Sequence, residues 1–194
     1  MSKVMRISVF LSLYLFWLNP AFAEGPSIDL TEDVFNVRDG VIYPKELGEL
    51  ITTQCSRRTY DGKYWTLTKS QIQELEEALG QYFTPVEGIN LKSIYDRYYK
   101  QYTGIYVDSK KAIYVNAMRK EAWKSSEETL RHYPEAANAK IKNKLSKYID
   151  TEHLDKDLID WRWWPINACH GSKSFFGVVY VIEDKEFKYF SFNY

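Results

Sequence analysis

The sequence predicts an α+β fold in which a mainly antiparallel sheet of two hairpins packs with about three helices, and one disulfide joins distant parts of the chain. Three observations indicate this class. Apolar residues recur at helical spacing in three segments, β-rich arms flank a polar turn at two places, and exactly two cysteines occur. The order helix, helix, hairpin, helix, hairpin is typical of α+β proteins rather than doubly wound ones.

The first segment, 1–23, is predicted to be a secretory signal peptide. Lys3 and Arg6 make its start positive, residues 7–18 are almost all apolar, and residues 21–23 read Ala-Phe-Ala, which fits a cleavage site. An apolar run of about a dozen residues is short for a membrane anchor, which needs about 20. We therefore expect export to the periplasm or the medium.

The rest of the chain predicts a lead segment over 24–45 and one domain over 46–194. The 26 basic and 26 acidic residues of the full sequence balance. A near-neutral chain gives no electrostatic reason to expect nucleic acid or an anionic membrane as partner. After the signal peptide, no apolar run is long enough to span a membrane.

The clearest helix is predicted in the segment 66–83. Thr68 is an N-cap, and Gln71 three residues later completes a capping box. Apolar residues then fall on one face, namely Ile72, Leu75, Leu79 and Tyr82. Before it, residues 46–55 are read as a short helix or strand, and Asp61-Gly62 as a turn.

Two further helices follow from the same periodicity. The second is predicted over 90–104, with Asn90 as cap, Gly104 as stop and an apolar stripe of Leu91, Ile94, Tyr95, Tyr98 and Tyr102. Residues 119–158 are charged and helix-prone. Within them, Pro134 opens a helix whose buried face is Ile141, Leu145, Tyr148 and Ile149.

Both hairpins are predicted from β-rich arms around polar turns. The first joins 105–107 to 112–115 through a turn over 108–111. The second joins "FFGVVYVI" to "FKYFSFNY" through a turn over 183–186, after a β segment around 166–169. In its last arm Phe187, Tyr189, Ser191 and Asn193 alternate with Lys188, Phe190 and Phe192.

Several landmarks occur in an order that resembles a known pattern. They are "QCSR" at 54–57, "YWTLTKSQIQELEEAL" at 64–79, "YYKQYTGIY" at 98–106, "AIYVNA" at 112–117 and "ACHGSKSFFGVVYVIEDKEFKYFSFN" at 168–193. The chain resembles a family of small exported bacterial proteins, uncharacterised, that read Q-C-S-R, W-T-P, Y-x-x-Q-Y-x-G, I-Y-V-N, C-D-G-G and F-N-G. The resemblance implies export and paired cysteines, and it carries no activity.

The chain departs from that pattern at three places. His170-Gly171-Ser172 stands where the pattern has Asp-Gly-Gly, Leu67 replaces a proline, and Tyr194 replaces the final glycine. Any role of that aspartate in relatives is therefore in doubt for this chain.

Cys55 and Cys169 are predicted to form a disulfide, because an even cysteine count in an oxidising compartment favours pairing. The alternatives are a Cys169 nucleophile and a zinc site. The neighbour His170 is badly placed as a base because adjacent side chains usually diverge. A zinc site needs more ligands than these two residues, and no CxxC or HxxxH spacing occurs.

The segment "WRWWP" is the best candidate for a binding surface. Arg162 between Trp161 and Trp163 suggests cation–π recognition, and tryptophan and arginine are the usual anchors of protein interfaces. The alternative is a strand that turns its rings into the core. A second candidate is Arg57 beside His170, which the disulfide would bring together to hold a carboxylate or phosphate. The alternative is that Arg57 bonds local carbonyl groups.

The tyrosine-rich segment 95–102 could form a sugar- or peptide-binding platform, but core packing of Tyr95, Tyr98 and Tyr102 is favoured. No nucleophile-elbow, zinc-protease, P-loop or Rossmann motif is present. The sequence therefore favours a non-enzymatic exported module that binds a protein or envelope component, with no cofactor, no metal and no catalytic residue assigned. The alternatives are a small cell-wall or peptide hydrolase, and a structural or stress-related envelope protein.

Overall fold

The α+β class and the mainly antiparallel sheet are confirmed by a computed structural model. It describes residues 35–37, 39–52, 60, 62–79, 82, 91–152, 154, 157–166 and 172–193. The strands of this part are β1 (Phe35–Val37), β2 (Gly40–Ile42), β3 (Tyr64–Trp65), β4 (Tyr98–Val107), β5 (Lys110–Arg119), β6 (Ser172–Val181) and β7 (Glu186–Asn193). Its helices are α1 (Gly48–Thr52), α2 (Lys69–Leu79), α3 (Leu91–Tyr95), α4 (Lys120–Arg131) and α5 (Pro134–Leu145).

The strands form one sheet in the order β1-β2-β4-β5-β6-β7, and β3 pairs with β4 beyond the end of β2. Only the β2–β4 pairing is parallel among the described strands. The two long hairpins, β4–β5 and β6–β7, make the body of this sheet, as the sequence predicted. The short strands β1 and β2 extend it on the β4 side.

Both faces of the sheet are covered. On one face, the cross-strand row Tyr102, Val115 and Val178 packs with the apolar stripe of α2. On the other face, a second core cluster contains residues of β4–β6 together with α1, α5 and the segment that follows α5. This second face positions the candidate site, because residues 157–166 lie over it.

The predicted helix over 90–104 is wrong. The helix α3 ends at Tyr95, and β4 begins at Tyr98. The tyrosine spacing fits both the helical and the strand period, because residues four positions apart, such as Tyr98 and Tyr102, also lie on one face of a strand. Pairing of all ten β4 residues with β5 outweighs the local helical pattern, and it suits a segment that contains four tyrosines, Ile105 and Val107.

Both predicted hairpins are confirmed, with longer arms than expected. The first turn is only two residues, Asp108 and Ser109, and both have positive φ angles, 51° and 65°. The second turn covers 182–185, with Lys185 at φ 52°.

The alternation predicted for the last arm is wrong in part. A register shift between the Gly177 and Val179 pairings puts an extra residue into β7, and Tyr189 has a φ of 59°. Because of this bulge, Phe187, Phe190 and Phe192 all pack against the core on the α2 side. The period-2 rule had placed Phe187 opposite the other two.

The helix predictions near α2 and α5 are confirmed. The amide of Thr68 donates to Gln71 Oε1 at 2.9 Å, and the amide of Gln71 donates to Thr68 Oγ1 at 3.4 Å, which is the capping box. In α5, Ile141 and Leu145 are buried. Of the β segment predicted around 166–169, only Ile166 is described, and it lies in a loop.

Candidate binding surface

The candidate surface is built on one loop, Asp160–Ile166, which we call the tryptophan loop. Asp160 starts it as a turn, because its carbonyl oxygen accepts from the amides of Trp163 at 3.0 Å and Trp164 at 2.9 Å. Its carboxylate accepts from the amide of Arg162 at 2.9 Å. The segment is therefore a turn and not the strand considered as the alternative. The geometry of this turn decides which tryptophan ring points into the core.

Gln101 holds this loop against the sheet. The side chain is fully buried on β4, and its Nε2 donates to the carbonyl oxygens of Trp161 at 2.8 Å and Trp164 at 2.7 Å. Its Oε1 accepts from the amide of Ile166 at 3.0 Å. One amide thus satisfies three backbone groups of a segment that has no strand partner of its own.

A second buried amide extends the attachment. Asn116 lies directly across from Gln101 on β5, and its Nδ2 donates to the carbonyl oxygen of Ile166 at 2.8 Å. The hydroxyl of Tyr43 donates to the carbonyl of Arg162. Neutral amides on a rigid sheet therefore fix the loop at both ends, which preorganises whatever the loop exposes.

The three tryptophans of the loop have different environments. Trp163 is only 8% exposed and packs in the second core cluster. Trp161 and Trp164 are half-buried. The ring of Trp161 stacks on Tyr99, with centroids 4.4 Å apart and planes inclined by 7°. The surface therefore presents Trp161 and Trp164, while Trp163 anchors the loop.

Arg162 pairs with Asp160 through its Nε, at 2.9 and 3.0 Å from the two carboxylate oxygens, and through its Nη2. The hydrogen bonds that Arg162 donates to the Asp160 carboxylate raise the pKa of Arg162. The guanidinium side chain is 42% exposed, so it keeps a face to solvent while its charge is paired. Within the described part, the cations that lie over the neighbouring aromatic rings are lysines and not Arg162.

Lysines lie near the rings of Trp164 and Tyr99, both of which are half-buried. The ammonium groups of Lys140 and Lys144 lie 5.8 and 6.0 Å from the centroid of Trp164. Lys120 lies 5.6 Å from the centroid of Tyr99 and forms an ion pair with Asp39 at 2.7 Å. The result is a partly exposed aromatic surface with a positive border.

Four sequence-predicted site residues lie outside the described residues. They are Arg57, His170 and the two cysteines, Cys55 and Cys169. The disulfide and the Arg57–His170 patch stay predictions. Of the residues that now define the surface, Lys140 and Lys144 were missed, and Tyr99 was considered only as part of a tyrosine platform, because their proximity to the loop depends on how α5 and β4 meet it. The glutamine and asparagine were quoted only as pattern letters.

A buried polar cluster lies on the opposite face. The hydroxyls of Tyr95 and Tyr102 are 2.8 Å apart, and Tyr102 donates to Glu76 at 3.1 Å. The ammonium group of Lys100 lies 4.1 Å from the Tyr95 centroid. Burial lowers the pKa of Lys100. Tyr95, Tyr98 and Tyr102 are core residues, as favoured from the sequence, and their enclosure leaves no open platform of these three rings.

No described helix is long and apolar enough to cross a membrane. In the same part of the chain, no three histidine, cysteine or acidic side chains converge as metal ligands would. Comparison with known proteins finds no family model, no curated protein and no solved structure that matches this chain.

Proposed function

We propose that the protein is an exported, non-enzymatic binding module that recognises a protein or envelope component through the tryptophan loop. The observation that carries the proposal is the rigid attachment of this loop by Gln101, with the rings of Trp161 and Trp164 left half-buried at the surface. Tryptophan at a surface held in one conformation is a common anchor of protein interfaces. A preorganised anchor loses little conformational entropy on binding.

The border of the surface supports the same function. The ammonium groups of Lys140 and Lys144 lie 5.8 and 6.0 Å from the centroid of Trp164, and the ring of Trp161 stacks on Tyr99. An aromatic centre with a charged rim matches the usual anatomy of a recognition surface. Export rests on the signal peptide over 1–23 and is part of the proposal.

The test is site-specific photo-crosslinking in the cell that makes the protein. A benzoylphenylalanine in place of Trp164 should yield a discrete adduct whose partner is then identified by mass spectrometry. The control carries the same group at Tyr189, which is 38% exposed on the edge strand β7. The adduct should be absent from the control.

The identified partner then allows a quantitative check. Binding of the purified partner should weaken by about tenfold or more in Trp164→Ala, as expected for an interface anchor worth more than about 1.4 kcal/mol. Tyr189→Ala should bind as the wild type does. Equal affinity of both variants, or adducts that do not depend on the crosslinker position, would contradict the proposal.

A further inference from the structure

We propose that the partner presents an acidic, extended peptide segment, which binds along the side of α5 that carries Lys140 and Lys144 next to Trp164. This inference rests on the proposed binding function and specifies the chemistry of the partner. Lys140 and Lys144 are four residues apart, one helical turn, and both ammonium groups approach the same indole ring.

The two lysines differ in what faces them from the cations that are held in ion pairs. Arg131 pairs with Asp157 at 2.7 Å, and Lys110 pairs with Asp184 at 2.6 Å. Among the residues that the structure describes, no carboxylate forms an ion pair with Lys140 or Lys144, and the contact recorded for each is the Trp164 ring. Two neighbouring positive charges thus lack an internal counter-charge in the described part of the chain.

Electrostatics at this place favour an anion. Burial, and then the charge of Lys140, lower the pKa of Lys144. A carboxylate beside each ammonium group would offset their mutual repulsion and would form a charge-assisted hydrogen bond with it. Lys147 follows Lys144 by three residues, so the positive row continues past the end of α5.

The spacing selects an extended peptide. Four residues of helix advance by about 6 Å. Side chains at alternate positions of an extended chain are about 6.6 Å apart and point the same way. An acidic residue at every second position therefore matches Lys140 and Lys144 one to one. The partly exposed Trp164 offers an apolar contact that a uniformly charged polymer would not use.

The experiment uses fluorescence anisotropy with the mature chain at low and moderate salt. The probe is a labelled peptide that alternates glutamate with leucine, and its matched control has glutamine in place of glutamate. Heparin serves as a polyanion of a different class. We expect the glutamate peptide to bind with an affinity that falls with salt, and the glutamine peptide and heparin to bind at least about tenfold more weakly.

Two double variants locate the binding. Lys140→Gln/Lys144→Gln should weaken peptide binding by about tenfold or more, which corresponds to the loss of two charge-assisted contacts. Lys124→Gln/Lys142→Gln removes the same total charge from α4 and from another side of α5, so it should change the affinity less than about twofold. Circular dichroism confirms that both variants fold.

Equal weakening in both double variants would overturn the proposal, because the attraction would then depend on net charge alone. Preferential binding of heparin would overturn it in favour of an anionic glycan. If no acidic peptide binds while the Trp164 crosslink still gives a defined partner, this inference fails and the proposed function stands. If both experiments fail, the proposed function fails as well.

Discussion

Single amides decide the shape of the candidate surface. Gln101 is an uncharged side chain in the middle of β4, yet it is fully buried and reaches three backbone groups of the tryptophan loop. A buried backbone group without a partner costs about 1–3 kcal/mol. The tryptophan loop therefore depends on Gln101 for three of its backbone hydrogen bonds.

We expect Gln101→Leu to lower the free energy of unfolding by about 3–5 kcal/mol, because it leaves several buried backbone groups unpaired while keeping side-chain volume. Urea denaturation measures the change. The control is Gln71→Leu, which removes a hydrogen bond of the exposed capping box and should cost about 1 kcal/mol. A loss of less than about 1 kcal/mol in Gln101→Leu would show that the loop is held by other contacts.

Composition identified the tryptophan loop as a candidate surface, but it could not say which of its rings are buried. Trp161, Trp163 and Trp164 are chemically equivalent in the sequence. Their burial depends on the turn that Asp160 starts and on the carbonyl groups that Gln101 binds. The contacts of Gln101 join residues about 60 positions apart in the sequence. No local sequence pattern therefore contains them. The lysines on α5 were missed for the same reason.

Other residues of the sequence pattern also have structural roles. A Cβ on Gly104 would lie 2.3 Å from the carbonyl oxygen of Trp65, so a side chain does not fit there without movement of β3. The indole of Trp65 donates to the carbonyl of Ile105 at 2.9 Å. The motif letters W, Q, G and N thus describe how strands and loop fit together.

At the scale of elements, helices with a cap and a single clear period were predictable, while β4 was not. The α2 helix has both a capping box and an unambiguous apolar face. In the 90–104 segment, the tyrosines fit helix and strand alike, and only the partner strand resolves the choice. The β7 bulge was unpredictable too, because Tyr189 adopts a left-handed conformation that its residue type disfavours.

The first hairpin turn provides an element-scale prediction. Ser109 occupies the second position of a two-residue turn at φ 65°, where glycine is the preferred residue. We expect Ser109→Gly to raise the free energy of unfolding by about 1 kcal/mol, because the left-handed conformation is strained for residues with a Cβ. Thermal denaturation measures it. Ser109→Ala keeps the strain and should bring no gain, and a gain equal to that of glycine would argue against strain.

At the scale of the whole molecule, buried tyrosines couple the fold to alkaline pH. Burial raises the pKa of Tyr43, Tyr102 and Tyr114 above the ordinary value of 10.0. The folded chain therefore holds these protons more tightly than the unfolded chain does. Their contribution to stability is complete below pH 10 and is lost as the pH rises above it. Lys100 and Lys144 act in the opposite sense because their pKa values are lowered.

We expect cooperative unfolding above pH 10, with each fully buried tyrosine lowering the free energy of unfolding by about 1.4 kcal/mol at pH 11. Ultraviolet absorbance follows tyrosinate formation while circular dichroism follows the fold. The buried tyrosines should ionise only as the structure is lost. Complete ionisation of all tyrosines in a chain that stays folded would contradict this.

The predicted disulfide also belongs to the scale of the whole chain, because its two cysteines are far apart in the sequence. Described segments end at Thr52 and Ile166, each three residues before a cysteine. Leu50 and Trp163, close to these ends, pack in the same core cluster. The two described segments that precede the cysteines therefore lie over one face of the sheet. A bridge between Cys55 and Cys169 would close a loop of more than a hundred residues. In the chain-entropy account, such a loop stabilises the fold by about 4–5 kcal/mol.

Intact mass after denaturing alkylation, with and without reduction, measures this directly on the purified protein. We expect no label without reduction and two labels after it. Reduction, or the double variant Cys55→Ser/Cys169→Ser, should lower the melting temperature, since the unfolded chain regains the entropy of the open loop. Two labels on the unreduced protein would instead mean free thiols in an oxidising compartment. Cys169 beside His170 would then be a candidate reactive thiol, and the hydrolase alternative would regain its strongest residue.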